Sequence, residues 1–251
     1  MRLVVTDSYE HSARLVAKQV ADLVRAKPQA TLGLATGTTP IPVYKELARL
    51  HKEAGVDFSQ VTTINLDEYR GVPGENPNSY LYFMKHHLFD PCEIPLTRVW
   101  IPDGMKPLQE ELARMNAFSY AHPIDIHVLS VGGNGHIGFN EPNDVFCYGY
   151  HEVFLTEETR RSNARLFSCL EEVPKSAVTM GIGGIMQSKA ISFLATGNEK
   201  LAAMKAILEE GGVTPFNQGT VLKLHQDCTI YLDEALAGQI QPASYVEVSR
   251  A

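Results

Sequence analysis

The chain is poor in cysteine. Its four, Cys92, Cys147, Cys169 and Cys228, are scattered through 251 residues with no Cys-x-x-Cys pair. That spacing excludes a disulfide framework and a thiolate zinc site. The opening segment, Met1-Arg2-Leu3-Val4-Val5-Thr6-Asp7, carries no apolar core of export length. Reduced thiols in a cytoplasmic protein are therefore expected. No run of about 18 apolar residues exists, so no membrane-spanning helix is expected. Positive charge is also in deficit, with 22 Lys+Arg against 29 Asp+Glu and a formal net charge of −7. Nucleic acid and anionic membranes attract an extended positive field, so neither is an expected partner. A small anion is still permitted, because a few cations in one cleft can outvote the global charge locally.

Other signatures are missing too. The nine histidines form no His-x-x-x-His or His-x-His, and none is paired with a cysteine at ligand spacing, so no metal site is expected. A Gly-x-Ser-x-Gly elbow is absent, which argues against serine-hydrolase chemistry. No Gly-x-Gly-x-x-Gly opens the first βα unit. Gly181-Ile182-Gly183-Gly184 comes late and lacks the third glycine, so it is a weak dinucleotide signal.

What is present is a soluble globular balance, 44% hydrophobic and 20% charged. Short apolar runs alternate with longer amphipathic stretches. Strands are predicted over 3–6, 31–35, 61–66, 99–101, 124–131, 153–156, 177–180, 190–196 and 229–232. Helical spacing occupies 8–26, 43–54, 79–88, 107–120 and 199–209, with Ser8 as a cap and a helical turn at 220–222. Strands alternating with helices of this length imply βαβ units. No repeat, low-complexity segment or Pro/Ser-rich linker divides the chain. The expectation is one α/β domain over 1–251, a doubly wound, mostly parallel, Rossmann-like sheet with helices on both faces. Such sheets bind ligands beyond the carboxyl ends of their strands, so functional residues should follow strands.

Four segments fit that rule. Thr36-Gly37-Thr38-Thr39-Pro40 sits between a strand and a helix and offers backbone N–H groups and hydroxyls to a phosphate, without the glycine spacing or lysine of a P-loop. Asn65-Leu66-Asp67-Glu68-Tyr69 ends an apolar strand in two adjacent acids whose side chains diverge, so they should have different roles; Asp67 is a candidate general base. Asn134-Gly135-His136-Ile137-Gly138-Phe139-Asn140-Glu141-Pro142 follows a buried strand. There His136 and Glu141 could form an oriented acid/base pair, with Glu141 holding the imidazole tautomer. Finally, Arg165 and Lys200 supply a planar fork and a point charge suited to phosphate. Lys200 lies at a predicted helix start, where a cation opposes the helix dipole unless an anion joins it.

Read together, these segments resemble the glucosamine-6-phosphate deaminases, also called glucosamine-6-phosphate isomerases. The resemblance runs from Met1 to about Asp233-Glu234-Ala235, and its most specific marker is Asn134–Pro142. It also includes Leu34–Pro40, Asn65–Tyr69, Asn163-Ala164-Arg165-Leu166-Phe167 and Thr179–Gly183, in the family's order. The resemblance implies hydrolytic deamination of a small amino-sugar phosphate, glucosamine 6-phosphate, to fructose 6-phosphate and ammonia, with no metal and no organic cofactor. It implies that Asp67 moves a proton between C2 and C1, that His136 assists ring opening with Glu141, and that Asn134 supports the histidine. It assigns the 6-phosphate to Thr36, Gly37, Thr38, Thr39, Arg165 and Lys200. The stretch Asn143–Tyr150 departs from the family pattern, and the chain resembles short members without an extended tail, so allosteric control by an amino-sugar phosphate is not expected. A monomer or small homo-oligomer is expected. The galacto epimer, a 6-phosphogluconolactonase-like reaction and a non-catalytic sugar-phosphate sensor are the competing readings.

Overall fold

Helical and strand periodicities alternate along the chain, and the structure follows them closely. It is a computed structural model that describes residues 1–164, 167 and 169–251, with the side chains of Glu158, Ser162 and Asn163 left aside. The strands are β1 (Arg2–Thr6), β2 (Thr31–Leu34), β3 (Thr62–Asn65), β4 (Asp67–Tyr69), β5 (Val99–Trp100), β6 (Ile126–Leu129), β7 (His151–Phe154), β8 (Ser176–Thr179), β9 (Ile191–Ala195), β10 (Cys228–Asp233) and β11 (Glu247–Arg250). The α-helices are α1 (Tyr9–Ala26), α2 (Ile41–Ala54), α3 (Tyr80–Met84), α4 (Leu108–Ala121), α5 (Glu157–Asn163), α6 (Ile182–Met186), α7 (Leu201–Leu208) and α8 (Glu234–Ala237). Ser8 caps α1 as expected, its hydroxyl accepting the His11 N–H at 3.3 Å.

Eight strands form one sheet in the order β11-β1-β10-β9-β6-β2-β3-β5. Every pairing in it is parallel, so the doubly wound α/β expectation holds. Both faces are covered, which is why the central strands are apolar almost throughout. Along β6, Ile126 and Val128 join Val16, Val20, Leu32, Val43 and Leu47 in the layer beneath α1 and α2. Leu129 joins Phe193, Met204, Ile207, Ile230 and Leu232 in the opposite layer. The chain leaves β2 toward β3 on one side and leaves β6 toward β9 on the other. The strand order therefore reverses between β2 and β6, where a doubly wound sheet opens its ligand crevice.

A second, three-stranded antiparallel sheet, β4-β8-β7, was not foreseen. Leu66 is the joint between the two sheets. Its N–H donates to Leu34 O in the large sheet and its C=O accepts from Met180 N, and Asp67 then pairs with Thr179. A strand of three residues is too short to show a period, and its partner lies more than a hundred residues away in sequence. Also beyond the periodicities are α5, α6, α8 and β11, all seven residues or shorter. The predicted helix at 79–88 begins as α3 and continues as one π-helical stretch over Lys85–Phe89.

Candidate active site

Four adjacent central strands, β9-β6-β2-β3, deliver Lys200, the 130–136 segment, the 36–39 loop and Asp67 from their carboxyl ends. These residues line one cleft of about 880 Å³. The cleft gathers Thr36, Gly37, Thr38, Thr39, Asp67, Asn134, His136, Glu141 and Lys200, nine of the ten residues singled out above. The tenth, Arg165, lies outside the described residues.

Asp67 and Glu68 separate as alternation along a strand demands. Asp67 is only 5% exposed and lines the cleft, with no hydrogen bond to its carboxyl among the described residues. Burial, then the neighbouring Glu68 charge, pushes its pKa up to about 8. Glu68 points the other way. Its Oε1 accepts the N–H groups of Tyr69 (2.9 Å) and Tyr80 (3.0 Å), and its Oε2 that of Leu81 (3.0 Å). Glu68 thus ties the start of α3 to β4 and brings Tyr80 into the cleft wall. Beneath Asp67, the Tyr150 hydroxyl donates to Asn65 O at 2.6 Å. Gly138 has φ +60°, and a Cβ there would stand 3.1 Å from Asp67 Oδ2 and 2.9 Å from Thr179 Oγ1. A side chain at 138 would therefore be strained in its backbone and would crowd the acid.

The histidine was expected to have support from both Glu141 and Asn134, and the two are unequal. Asn134, not Glu141, is its direct partner: Asn134 Oδ1 lies 2.7 Å from His136 Nδ1, whereas Glu141 Oε2 is 3.6 Å away. Asn134 Nδ2 donates to Glu141 Oε2 at 2.7 Å, which leaves its Oδ1 as acceptor. His136 Nδ1 must then carry the proton, and Nε2 is left bare. Gly132 leaves room for this ring, since a Cβ there would fall 2.4 Å from Nε2. Burial raises the proton affinity of Glu141, but the nearby His136 imidazole and the hydrogen bonds from Asn134 and Thr159 outweigh it. Its carboxyl is held below the ordinary range and stays ionised.

Lys200 is 9% exposed and sits at the N-cap of α7, as its predicted place at a helix start required. Its Nζ donates to Thr39 Oγ1 at 2.8 Å and to Ser130 Oγ at 3.2 Å, and it contacts no carboxylate among the described residues. Burial lowers its pKa, so this cation lacks the counter-charge its site calls for. Beside it, α2 begins with no side-chain cap and no acid in its first turn, leaving a partial positive charge facing the 36–39 loop. Tyr9 on α1 braces that loop by donating its hydroxyl to Thr39 O. An oxyanion placed against Lys200, Thr39 and the start of α2 would satisfy all of them.

Sequence reasoning missed Ser130, Tyr80, Phe139, Thr156 and Thr159, which also line the cleft. Ser130 was hidden inside the predicted strand 124–131, and Thr156 inside a strand at 153–156 where the chain in fact caps α5. The Gly181–Gly184 run is not a dinucleotide loop. The N–H groups of Gly181, Gly183 and Gly184 donate to the carbonyls of Gly149, Cys147 and Tyr148, docking the atypical 143–150 segment. Among the described residues, no three His, Cys, Asp or Glu side chains group to hold a metal ion, and no helix is long and apolar enough to cross a membrane.

Fold and cleft together define a class: parallel α/β proteins whose cleft at a strand-order reversal sets a buried cation beside a buried acid and an oriented histidine. Comparison with known proteins narrows it. The family model of glucosamine-6-phosphate isomerases/6-phosphogluconolactonase matches residues 6–226. A glucosamine-6-phosphate deaminase of Clostridium perfringens (strain 13 / Type A) is 41% identical over 239 residues, spanning 94% of this chain and 98% of the relative. That of Clostridioides difficile (strain 630) is 42% identical over 247 residues, spanning 98% and 99%. Among solved structures, a monomeric glucosamine-6-phosphate deaminase matches with a TM-score of 0.90 at 39% identity, covering 95% of this chain and all of that one. A 6-phosphogluconolactonase from Trypanosoma cruzi, with a TM-score of 0.71 at 19% identity over 94% of this chain and 96% of its own, shares the fold. The chain belongs to the glucosamine-6-phosphate deaminase family.

Proposed function

We propose that the protein converts glucosamine 6-phosphate and water to fructose 6-phosphate and ammonia. The observation that carries this is the pairing, in one cleft, of an uncompensated buried cation at Lys200 with an unpartnered buried carboxyl at Asp67. The first suits a phosphate that does not react. The second suits proton abstraction from carbon next to a carbonyl, which needs a positioned base poised near neutrality.

The steps follow from the residues. The phosphate binds Lys200, the 36–39 loop and Arg165, and its binding orients the far end of the sugar. The bare Nε2 of His136 takes the proton of the anomeric hydroxyl and returns one to the ring oxygen, opening the ring to the aldehyde. Asp67, ionised, takes the C2 proton while the substrate's ammonium group gives one to the C1 oxygen, leaving an enol that carries a neutral amino group. The Asp67 proton then goes to C1, leaving a C=N bond at C2. Water adds there, the C–N bond breaks, and ammonia departs from the ketose. Each proton taken by the protein is returned, and C1 is reduced as C2 is oxidised, so no redox partner is needed.

Ammonia release from glucosamine 6-phosphate, measured beside the galactosamine epimer and 6-phosphogluconolactone hydrolysis, tests the reading. Ammonia from the gluco substrate in preference to the galacto one is expected. Binding of the sugar phosphate with no turnover of any of the three would make the protein a sensor instead.

A further inference from the structure

Glu141 reaches His136 only through Asn134, and its carboxylate is held from two sides. Asn134 Nδ2 occupies Oε2 at 2.7 Å, and Thr159 of α5 occupies Oε1 at 3.1 Å. The direction of the second bond is forced. Thr156 Oγ accepts the Thr159 N–H at 3.1 Å and lies 3.0 Å from Thr159 Oγ, to which it donates. Accepting from Thr156, the Thr159 hydroxyl turns its own proton to the acceptor-only group it meets, the Glu141 carboxylate. The hydrogen bonds therefore run in one sense from the cap of α5 through Thr159 to Glu141. From there Asn134 links Glu141 to His136 Nδ1.

We propose that Thr159 is a positioning residue for the ring-opening histidine: by fixing the plane of the Glu141 carboxylate it fixes the Asn134 amide, and through that amide the His136 tautomer. The inference rests on the deaminase reading only for its kinetic consequence. The geometric link stands without it. Released from Thr159, the carboxylate is free to rotate about its last torsion, a broad two-fold well. Asn134 then loses its fixed acceptor, the amide can flip, and an amide presenting N–H₂ to Nδ1 favours the other tautomer, which blocks Nε2 with a proton. Thr159 does not itself meet the reacting atoms in this scheme. Its loss should therefore lower turnover and leave substrate affinity alone.

The experiment compares Thr159→Val, which keeps the shape and removes the hydroxyl, with Thr159→Ser, which restores it. Two readouts are taken on each and on the wild type. The first is the ¹⁵N signal pair of the His136 ring in the ligand-free protein, which reports the tautomer directly. The second is steady-state ammonia release. Expected are a single Nδ1–H tautomer in the wild type and in Thr159→Ser, and a mixture in Thr159→Val. A kcat about ten-fold lower with KM within about two-fold should accompany that mixture. Thr159→Ala, which favours the helix, substitutes if the valine variant does not fold. A single Nδ1–H tautomer in the hydroxyl-free variants overturns the proposal, as does a serine variant as impaired as the valine one. Absence of ammonia from the wild type would defeat the deaminase reading and leave the tautomer comparison to decide the role of Thr159.

Discussion

Asp67 and Lys200 are both buried in the cleft wall without a counter-charge in contact among the described residues. A base acts in its ionised form, and the Asp67 carboxyl is pushed up to about 8 by burial and the Glu68 charge. In the free enzyme kcat/KM should therefore climb with pH and level off above about 8. A pH-independent profile between 6 and 9 would remove Asp67 from the role. Asp67→Asn keeps the volume and loses the base, so kcat should fall by about 10²–10⁴ while phosphate-dependent binding persists. Lys200 makes the opposite test. Lys200→Met removes a buried, uncompensated charge, so the ligand-free variant should melt at or above the wild-type temperature. It should also lose the stabilisation that inorganic phosphate gives the wild type through binding to the native state, readable by thermal scans with and without phosphate.

At the scale of elements, the loop after β6 leaves little room for side chains at Gly132, Gly135 and Gly138. Gly138→Ala requires a side chain at φ +60° and presses on both Thr179 and Asp67. Turnover should drop at least ten-fold, a larger effect than the roughly 1 kcal/mol typical of an alanine forced into the left-handed region. Denaturant titration beside kinetics separates the two. Elements with a long apolar period were legible in the sequence, because packing and periodicity agree there: α1 with Val16, Val20 and Val24, and β6 with Ile126 and Val128. Glu68 and Asp67 were correctly expected to diverge, since alternation is local. That β4 leaves the large sheet was not legible, because its pairing with β8 is set by Leu66 bridging two sheets. Nor was the Asn134 bridge between Glu141 and His136, since hydrogen-bond order within a loop depends on side-chain torsions that spacing does not record. Thr156 and Thr159 were lost with α5, whose seven residues carry no apolar stripe.

For the whole molecule, buried ionisable groups set opposite ends of the stability range. Asp67 and Glu68 are raised to about 8 and about 7, above their ordinary values near 4. Their ionisation is resisted only in the folded state, so stability should decline as pH rises from about 4 through 8. Asp67→Asn should flatten that decline, with a melting advantage over the wild type that grows toward pH 8. His127 works from the acid side. It is fully buried beside Gly33, bonds Ser188 Oγ at 3.1 Å, and burial holds its pKa down at about 3. The unfolded chain takes up that proton near pH 6.5 and the folded chain does not, so stability should be lost as pH falls from about 6.5 toward 3. His127→Gln should soften this acid loss; an unchanged acid midpoint would assign it to other groups.

The strand order has one more consequence, for synthesis. Of the eleven strands β1 is made before the others, yet its neighbours are β10 and β11, the last two of the set: Leu3 pairs with Ile230 on one side and Val248 on the other. Its apolar residues must wait, unpaired along both edges, for nearly the whole chain to be translated. β2, β3, β5 and β6 can meanwhile assemble without it. A nascent chain stalled before residue 228 should therefore hold a sheet around β2 and β6 with a protease-accessible amino-terminal strand. The cleft itself lacks Lys200 until that residue emerges, so a chain stalled before residue 200 should not gain the stability that inorganic phosphate is expected to give the full chain.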